Sequence, residues 1–124
     1  MTRQGRGAAV FEEKLLQRSG SSAVVEFRVP PESPYFDGHF PECKILSAAA
    51  QVAIILRLAG CYLTGGRAAS GIKKLKFTKI IQPGVPIRLE LAWDQNAGTL
   101  SFKMLATEGG CRYASGSMTM GGRG

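Results

Sequence analysis

The chain has a single histidine, His39, in a short segment that also contains Asp37, Glu42 and Cys43. A histidine titrates near neutral pH and can remove or return a proton, which makes His39 a candidate general base. Cys43 would be a nucleophile only if a neighbouring group held its thiolate. His39 could instead hold a turn by bonding to backbone carbonyls. The segment therefore supports two hypotheses, proton-transfer chemistry and a structural histidine.

The bulk composition indicates one globular domain. The chain has 124 residues, 44% of them apolar, which suffices for a hydrophobic core. We expect a single domain over residues 1–124, with flexible ends at about residues 1–8 and 121–124. No apolar run is long enough to span a membrane and no signal peptide is evident, so a soluble, cytoplasmic protein is expected.

Cysteine usage and charge exclude several other classes of protein. Cys43, Cys61 and Cys111 form no CxxC pair and only one histidine accompanies them, so we expect no metal and no cofactor. The net charge is +7. However, the most basic run, residues 73–79, offers one aromatic side chain and alternates like a half-buried strand, which argues against nucleic acid as the partner.

Periodicity predicts an α+β fold. One long helix is expected over residues 45–63, apolar nearly all round and therefore buried, with Ser47 as a cap near its start. Residues 10–16 fit either a helix or a strand. Strands are predicted by alternation, and they cover residues 23–29, 72–80, 87–93, 100–106 and 112–120. A single helix against an antiparallel sheet leaves an edge at which a second copy could pair.

Gly38-His39-Phe40-Pro41, followed by an apolar helix, resembles the hot-dog-fold 3-hydroxyacyl-carrier-protein dehydratases, most closely the branch associated with aryl polyene synthesis. The resemblance covers roughly residues 24–120. Its other motifs are YFD at 35–37, Gln51, LKF at 75–77, QPG at 82–84 and ASG at 114–116. The resemblance implies a hot-dog fold, an antiparallel sheet wrapped around one long buried helix.

The resemblance also implies a reaction and a site. In that family water is eliminated from a 3-hydroxyacyl thioester on a carrier protein, in fatty-acid or polyene-type synthesis. By position His39 would be the general base, with backbone N–H groups at the helix start polarising the thioester carbonyl. Gly38, Phe40, Pro41, Ala48 and Ala53 would then contact the substrate. No cofactor is implied, and the partner would be an acyl carrier protein or an acyl-CoA thioester.

Two positions depart from the family pattern. Ser47-Ala48 replaces a Pro-Gly pair, so a Cβ stands where the family exposes bare backbone. Ala53 stands where the family has a helical carboxylate that faces the histidine of the other subunit, and residues 45–63 contain no Asp or Glu. The resemblance therefore supplies the base without the acid.

Three hypotheses follow from the missing carboxylate. In the first, the chain is a dehydratase in which Asp37 or Glu42 replaces the acid, although both could be solvated loop charges. In the second, it binds acyl chains or carrier protein without catalysis, or forms a homodimer or a mixed hot-dog dimer whose partner supplies the acid. The third is thioester hydrolysis. Because carrier proteins are acidic, the basic residues expected to steer one to the site are Arg67, Lys73, Lys74 and Lys76.

Overall fold

Six strands form one antiparallel sheet in the computed structural model, which describes residues 11–33, 36, 45–64 and 69–121. Their order across the sheet is β1-β2-β4-β5-β6-β3. The strands are β1 Glu12–Arg18, β2 Ser22–Arg28, β3 Ala69–Phe77, β4 Ile87–Asp94, β5 Thr99–Ala106 and β6 Arg112–Met120. The five predicted strands are confirmed to within a few residues, and residues 12–16 of the ambiguous segment belong to β1. The fold class is the α+β arrangement expected from the sequence.

Alternation along the strands divides the sheet into an apolar inner face and a polar outer face. In β4, for example, Leu89 and Leu91 are buried, whereas Arg88 and Glu90 between them are half-buried. The register brings the apolar residues into rows across the sheet. In one row, Val25 pairs with Leu89, Leu89 with Met104 and Met104 with Ala114. The inner face therefore forms a continuous apolar floor for the helix.

The α-helix of the described residues, α1, spans Ala48–Ala59 and continues as a π-helical turn over Gly60–Thr64. Ser47 is its N-cap, as predicted, and accepts a hydrogen bond from the amide of Ala50. Residues 45–47 were predicted to be helical but are not, because Ser47 has extended backbone angles and the Leu46 amide donates to the Ile81 carbonyl at 2.9 Å. The helix start is thereby tied to the connection between β3 and β4.

The sequence predicts a helix that is apolar nearly all round and therefore buried. This is wrong for one side of α1, called here its exposed stripe, which contains Ala53 and Arg57. The side that faces the sheet is buried through Ile54, Ile55 and Leu58, which join the main core. On the opposite side Ala53 and Arg57 are exposed. One sheet can cover only one side of one helix, so the other side is left to solvent or to another chain.

The two ends of the sheet differ in how the rest of the chain covers them. At the β1 end, the Tyr62 hydroxyl donates to Glu13 at 2.6 Å and Arg18 donates to the Tyr62 carbonyl at 3.1 Å. The C-terminal end of α1 therefore lies over β1. At the other end, Ile72 of β3 is 62% exposed. The helix thus leaves the β3 end of the inner face open.

No helix among residues 11–33, 36, 45–64 and 69–121 is long and apolar enough to cross a membrane. The single-domain assignment stays a prediction. Of the predicted flexible ends, residues 1–8 and 122–124 lie outside the described residues.

Candidate functional site

The proposed catalytic segment itself lies outside the described residues. It contains the candidate base His39, the candidate acids Asp37 and Glu42, the expected substrate contacts Gly38, Phe40 and Pro41, and Cys43. Arg67, one of the basic residues, also lies outside the described residues. The described candidates are Ala48 and Ala53 in α1, with Lys73, Lys74 and Lys76 in β3. The roles predicted for all of them stay predictions.

The chain on each side of the catalytic segment is anchored in the core. Phe36, just before it, is 2% exposed, and its amide donates to the Ser33 carbonyl at 3.0 Å. Leu46, just after it, is 1% exposed and is held by its backbone bond to Ile81. Phe36 and Leu46 therefore anchor the chain on the two sides of residues 37–44.

The first turn of α1 presents backbone donors that no described residue accepts. A helix leaves its first N–H groups without intrahelical acceptors, and here the Ser47 side chain satisfies the amide of Ala50. In the described part of the chain, the amides of Ala48 and Ala49 have no hydrogen-bond acceptor. Both residues are exposed. The helix start can therefore donate to a carbonyl oxygen or anion that approaches from outside, and the helix dipole adds to that attraction.

Gln51 is the polar residue that the helix buries near this end. Its side chain is 4% exposed, and its Nε2 donates to the Leu46 carbonyl at 3.1 Å. Its Oε1 is buried and accepts no hydrogen bond from any described residue. The amide thus holds the chain that enters the helix. The sequence marked Gln51 only as a family motif; a glutamine amid apolar residues was the signal that it has a buried partner.

Ala53 lies one helical turn beyond Ala49 on the exposed stripe of α1. Residues four apart share one side of a helix, so the position of the missing carboxylate lies on the same side of α1 as Ala49. The charge nearest along this stripe is Arg57, whose guanidinium lies 5.6 Å from the Phe11 ring centroid. The stripe therefore offers hydrogen-bond donors and a cation, but no carboxylate.

Two of the basic residues expected to steer a carrier protein, Lys74 and Lys76, do not face the helix. Lys74 pairs with Ser117 and Lys76 with Ser115, both on the outer face of the sheet. Leu75 and Phe77 point to the inner face, which confirms the predicted alternation. Lys74 and Lys76 are thus separated from α1 by the thickness of the sheet.

Lys79 lies just beyond β3, in the segment that leads to β4. The hydrogen bond with Cys111, and then the charge of its thiolate, raise the pKa of Lys79 above its ordinary value. Lys79 therefore stays protonated through the neutral range. Cys61 and Cys111 are both free and exposed, in keeping with unpaired thiols.

A groove of about 670 Å³ crosses the outer face of the sheet. It is lined by short polar and charged side chains such as Ser101, Ser115 and Lys103. Because α1 lies on the other face, this groove is separate from the candidate site. The candidate site is instead the exposed start of α1.

Comparison with known proteins agrees with this architecture. Residues 15–117 match the family model described as ApeI-like, ApeI dehydratase. The 3-hydroxyacyl-acyl-carrier-protein dehydratase FabZ of Streptococcus mutans is 30% identical over 115 residues, which cover 86% of this chain and 82% of FabZ. Its Lactiplantibacillus plantarum counterpart is 37% identical over 92 residues, covering 66% and 63% of the two chains.

Among solved structures, the dehydratase heterocomplex ApeI:P from Xenorhabdus doucetiae is similar, with a TM-score of 0.78 and 25% identity. The similarity covers 86% of this chain and 93% of that one. Thioesterase superfamily member 2 of zebrafish has a TM-score of 0.61 at 15% identity, which shows a shared fold alone. The hot-dog fold and the dehydratase relationship predicted from the sequence are confirmed, and the chain belongs to the ApeI-like dehydratase family.

Proposed function

We propose that this chain dehydrates 3-hydroxyacyl thioesters carried by an acyl carrier protein, as one half of a mixed hot-dog dimer. Membership of the dehydratase family and the FabZ similarity support the reaction class. The observation that carries the mixed dimer is the exposed Ala53 at the position of the family's carboxylate. Two copies of this chain would each present alanine there, so we assign the acid to a different subunit.

The proposed reaction is an elimination in which each group has one task. His39 removes the α proton, the electron pair of that C–H bond forms the Cα–Cβ double bond, and the C–O bond breaks. A carboxylic acid of the partner subunit protonates the departing hydroxyl, so that it leaves as water. The amides of Ala48 and Ala49 would donate to the thioester oxygen as negative charge develops on it.

The geometry at the helix start supports this division of roles. The free amides and Ala53 lie on the exposed side of α1, where a second subunit and a substrate can both reach them. The related ApeI:P structure is a heterocomplex, so its family accommodates two different chains. Asp37 and Glu42 remain candidate acids within the same chain, and the test below separates them from a partner's acid.

Thioester hydrolysis is less well supported. Hydrolysis needs a placed carboxylate or an activated water, and residues 45–63 contain neither Asp nor Glu. The similarity to the zebrafish thioesterase extends to the fold alone. A role in binding acyl chains without catalysis is the remaining alternative, and it predicts no product under any condition.

The test is to isolate the tagged chain from its own cells with any subunit it retains, and to incubate it with 3-hydroxyacyl carrier protein. We expect enoyl product from the complex, little from the chain purified alone, and a loss of about 100-fold or more in His39→Ala. Full activity of the lone chain would favour Asp37 or Glu42 as the acid. Product that survives His39→Ala, or no product from the complex, would contradict the proposed function.

Steering of the carrier protein by Arg67, Lys73, Lys74 and Lys76 stays part of the proposal. Reversing the charges of Lys74 and Lys76 should weaken carrier binding, most strongly at low salt, where screening is least. Binding that is unchanged at low salt would remove these two residues from the carrier surface.

A further inference from the structure

Arg57 lies on the exposed stripe of α1 and is the one charged residue between positions 48 and 64. It follows Ala53 by one helical turn and Ala49 by two. Because a helix rises 1.5 Å per residue, Arg57 stands about 12 Å along α1 from Ala49. The stripe therefore has backbone donors at its start and a guanidinium near its end.

The surface between these two ends is apolar. Ala53 is exposed, and the half-buried side chains of Val52 and Leu56 flank it and pack against the main core. None of these three side chains carries a polar atom. An apolar surface of small and aliphatic residues thus connects the start of α1 with Arg57.

The guanidinium of Arg57 is held in place by an aromatic pair. It lies over the ring of Phe11, 5.6 Å from the centroid. Phe11 in turn meets the buried Phe27 edge to face, with centroids 6.2 Å apart and ring planes at 69°. The core therefore fixes the cation, which reduces the conformational entropy that a ligand would have to remove.

The N–H donors of Arg57 lack an oxygen acceptor. An aromatic ring attracts the positive charge but accepts no conventional hydrogen bond. Within residues 11–33, 36, 45–64 and 69–121, the guanidinium makes no ion pair and no hydrogen bond. Glu13, an acid at the same end of the sheet, accepts from the Tyr62 hydroxyl at 2.6 Å instead. Arg57 is thus available to an anion that comes from outside.

An acyl chain complements the exposed stripe in the proposed function. There the amides of Ala48 and Ala49 hold the thioester oxygen. The apolar acyl chain gains by lying on the apolar surface beyond them, whereas the polar carrier arm gains by staying in water. A chain long enough to cover the stripe then brings its far end to Arg57.

The chemistry of that far end decides how well the chain binds. A methyl terminus would remove water from the guanidinium and replace it with nothing, which is unfavourable. A carboxylate would instead accept two charge-assisted hydrogen bonds from the planar guanidinium. The same residue therefore disfavours one class of substrate and favours the other.

We propose that Arg57 is a specificity-determining residue, which selects 3-hydroxyacyl thioesters whose far end carries an anionic group such as a carboxylate. This inference rests on the proposed function, which places the thioester at the start of α1, and it names the substrate class. Arg57 lies too far along the helix to act on the reacting carbons, so it contributes binding and no proton transfer.

The test compares two ligands that differ only at their far end. Both are saturated acyl N-acetylcysteamine thioesters of equal length without a 3-hydroxyl, so neither can be dehydrated; one ends in a carboxylate and the other in its methyl ester. Calorimetry with the complex isolated from its own cells should show at least about tenfold tighter binding of the carboxylate. Arg57→Gln should abolish this preference and leave methyl ester binding unchanged, and Arg57→Lys should keep part of it.

The corresponding pair of 3-hydroxyacyl thioesters gives the kinetic readout. Uniform binding far from the reacting atoms affects KM and leaves kcat unchanged. Arg57→Gln should therefore raise KM for the carboxylate substrate alone. The matched control is Arg112→Gln, which removes the same charge from an exposed side chain of β6 on the outer face. It should leave the preference intact.

Several outcomes would overturn the inference: equal binding of the two ligands, a preference that survives Arg57→Gln, or equal weakening of both ligands in that variant. Release of the retained subunit by Arg57→Gln would also overturn it, since Arg57 would then belong to a contact between subunits. Dehydration of both substrates with equal kcat/KM would remove the selectivity and leave the reaction. A carboxylate preference without any enoyl product would remove the reaction and leave the selectivity.

Discussion

Gly116 of β6 lies so close to the backbone of Lys74 in β3 that no Cβ fits between them. An alanine at Gly116 would meet the carbonyl oxygen of Lys74, and then the side chain and Cα of Leu75, all in the neighbouring strand. Backbone cannot move aside as a flexible side chain can. The glycine of the ASG motif is therefore what allows β3 to join the sheet.

Gly116→Ala should destabilise the fold by about 1–3 kcal/mol, the usual cost of overpacking, and should loosen β3 first. Thermal unfolding would show a lower Tm, and hydrogen exchange would show faster exchange of the β3 amides. Gly20→Ala is the control, since an added Cβ there meets nothing within 4 Å. Equal effects of the two changes would contradict the close approach of β3 to β6.

Ser47→Ala should remove the N-cap of α1 and cost about 1 kcal/mol of unfolding free energy, because the Ala50 amide loses its acceptor. Ser47→Thr keeps a hydroxyl and should lose much less. Denaturant unfolding measures both. An alanine variant as stable as wild type would show that the Ser47 side chain does not cap the helix.

Gln51→Glu should destabilise the protein in a way that depends on pH. The change removes the donor to the Leu46 carbonyl and buries a carboxyl group, whose pKa in the folded state burial would raise. A raised folded-state pKa favours the protonated form, so stability is lost as the pH rises above the unfolded-state value of about 4.3. At neutral pH the cost should be about 2 kcal/mol or more.

Gln51→Leu separates the hydrogen bond from the charge. It removes the same donor without adding a carboxylate, so it should cost less than Gln51→Glu at neutral pH, and its cost should not change with pH. Unfolding curves between acid and neutral pH compare the two. Parallel pH profiles would contradict the burial of this side chain.

The strands were predictable from the sequence because each repeats a period of two that ends at a turn. Ile87 to Trp93 alternates cleanly and forms β4, and Gly98, with a φ of 66°, turns the chain into β5. The segment before β2 was ambiguous because all seven residues of β1 are exposed, so no buried face imposes a period.

The candidate site was predictable only in part. The motif around His39 indicated the family, and Ser47 indicated the helix cap. The sequence could not show which side of the apolar helix stays exposed, because Ala53 and Ile54 are both apolar and only the position of the sheet distinguishes them. Nor could it show that Lys74 and Lys76 lie on the face opposite α1, because that depends on the order of the strands.

In the proposed function, the dehydratase site at the start of α1 lacks only the carboxylate that Ala53 replaces. Ala53 is exposed, so Ala53→Glu adds an acid without burying it in the core of the chain. In a homodimer of this variant each subunit would bring both His39 and a helical carboxylate. Ala53→Gln has nearly the same shape without the acid and is the matched control.

The most direct measurement is dehydration of a 3-hydroxyacyl N-acetylcysteamine thioester by the purified Ala53→Glu protein at high protein concentration. This uncharged substrate does not depend on carrier docking. We predict an enoyl product at a rate about 100-fold above that of wild type and Ala53→Gln, and its loss when His39→Ala is added. A wild-type chain that works equally fast alone, or an Ala53→Glu protein that gains nothing over Ala53→Gln, would contradict the account.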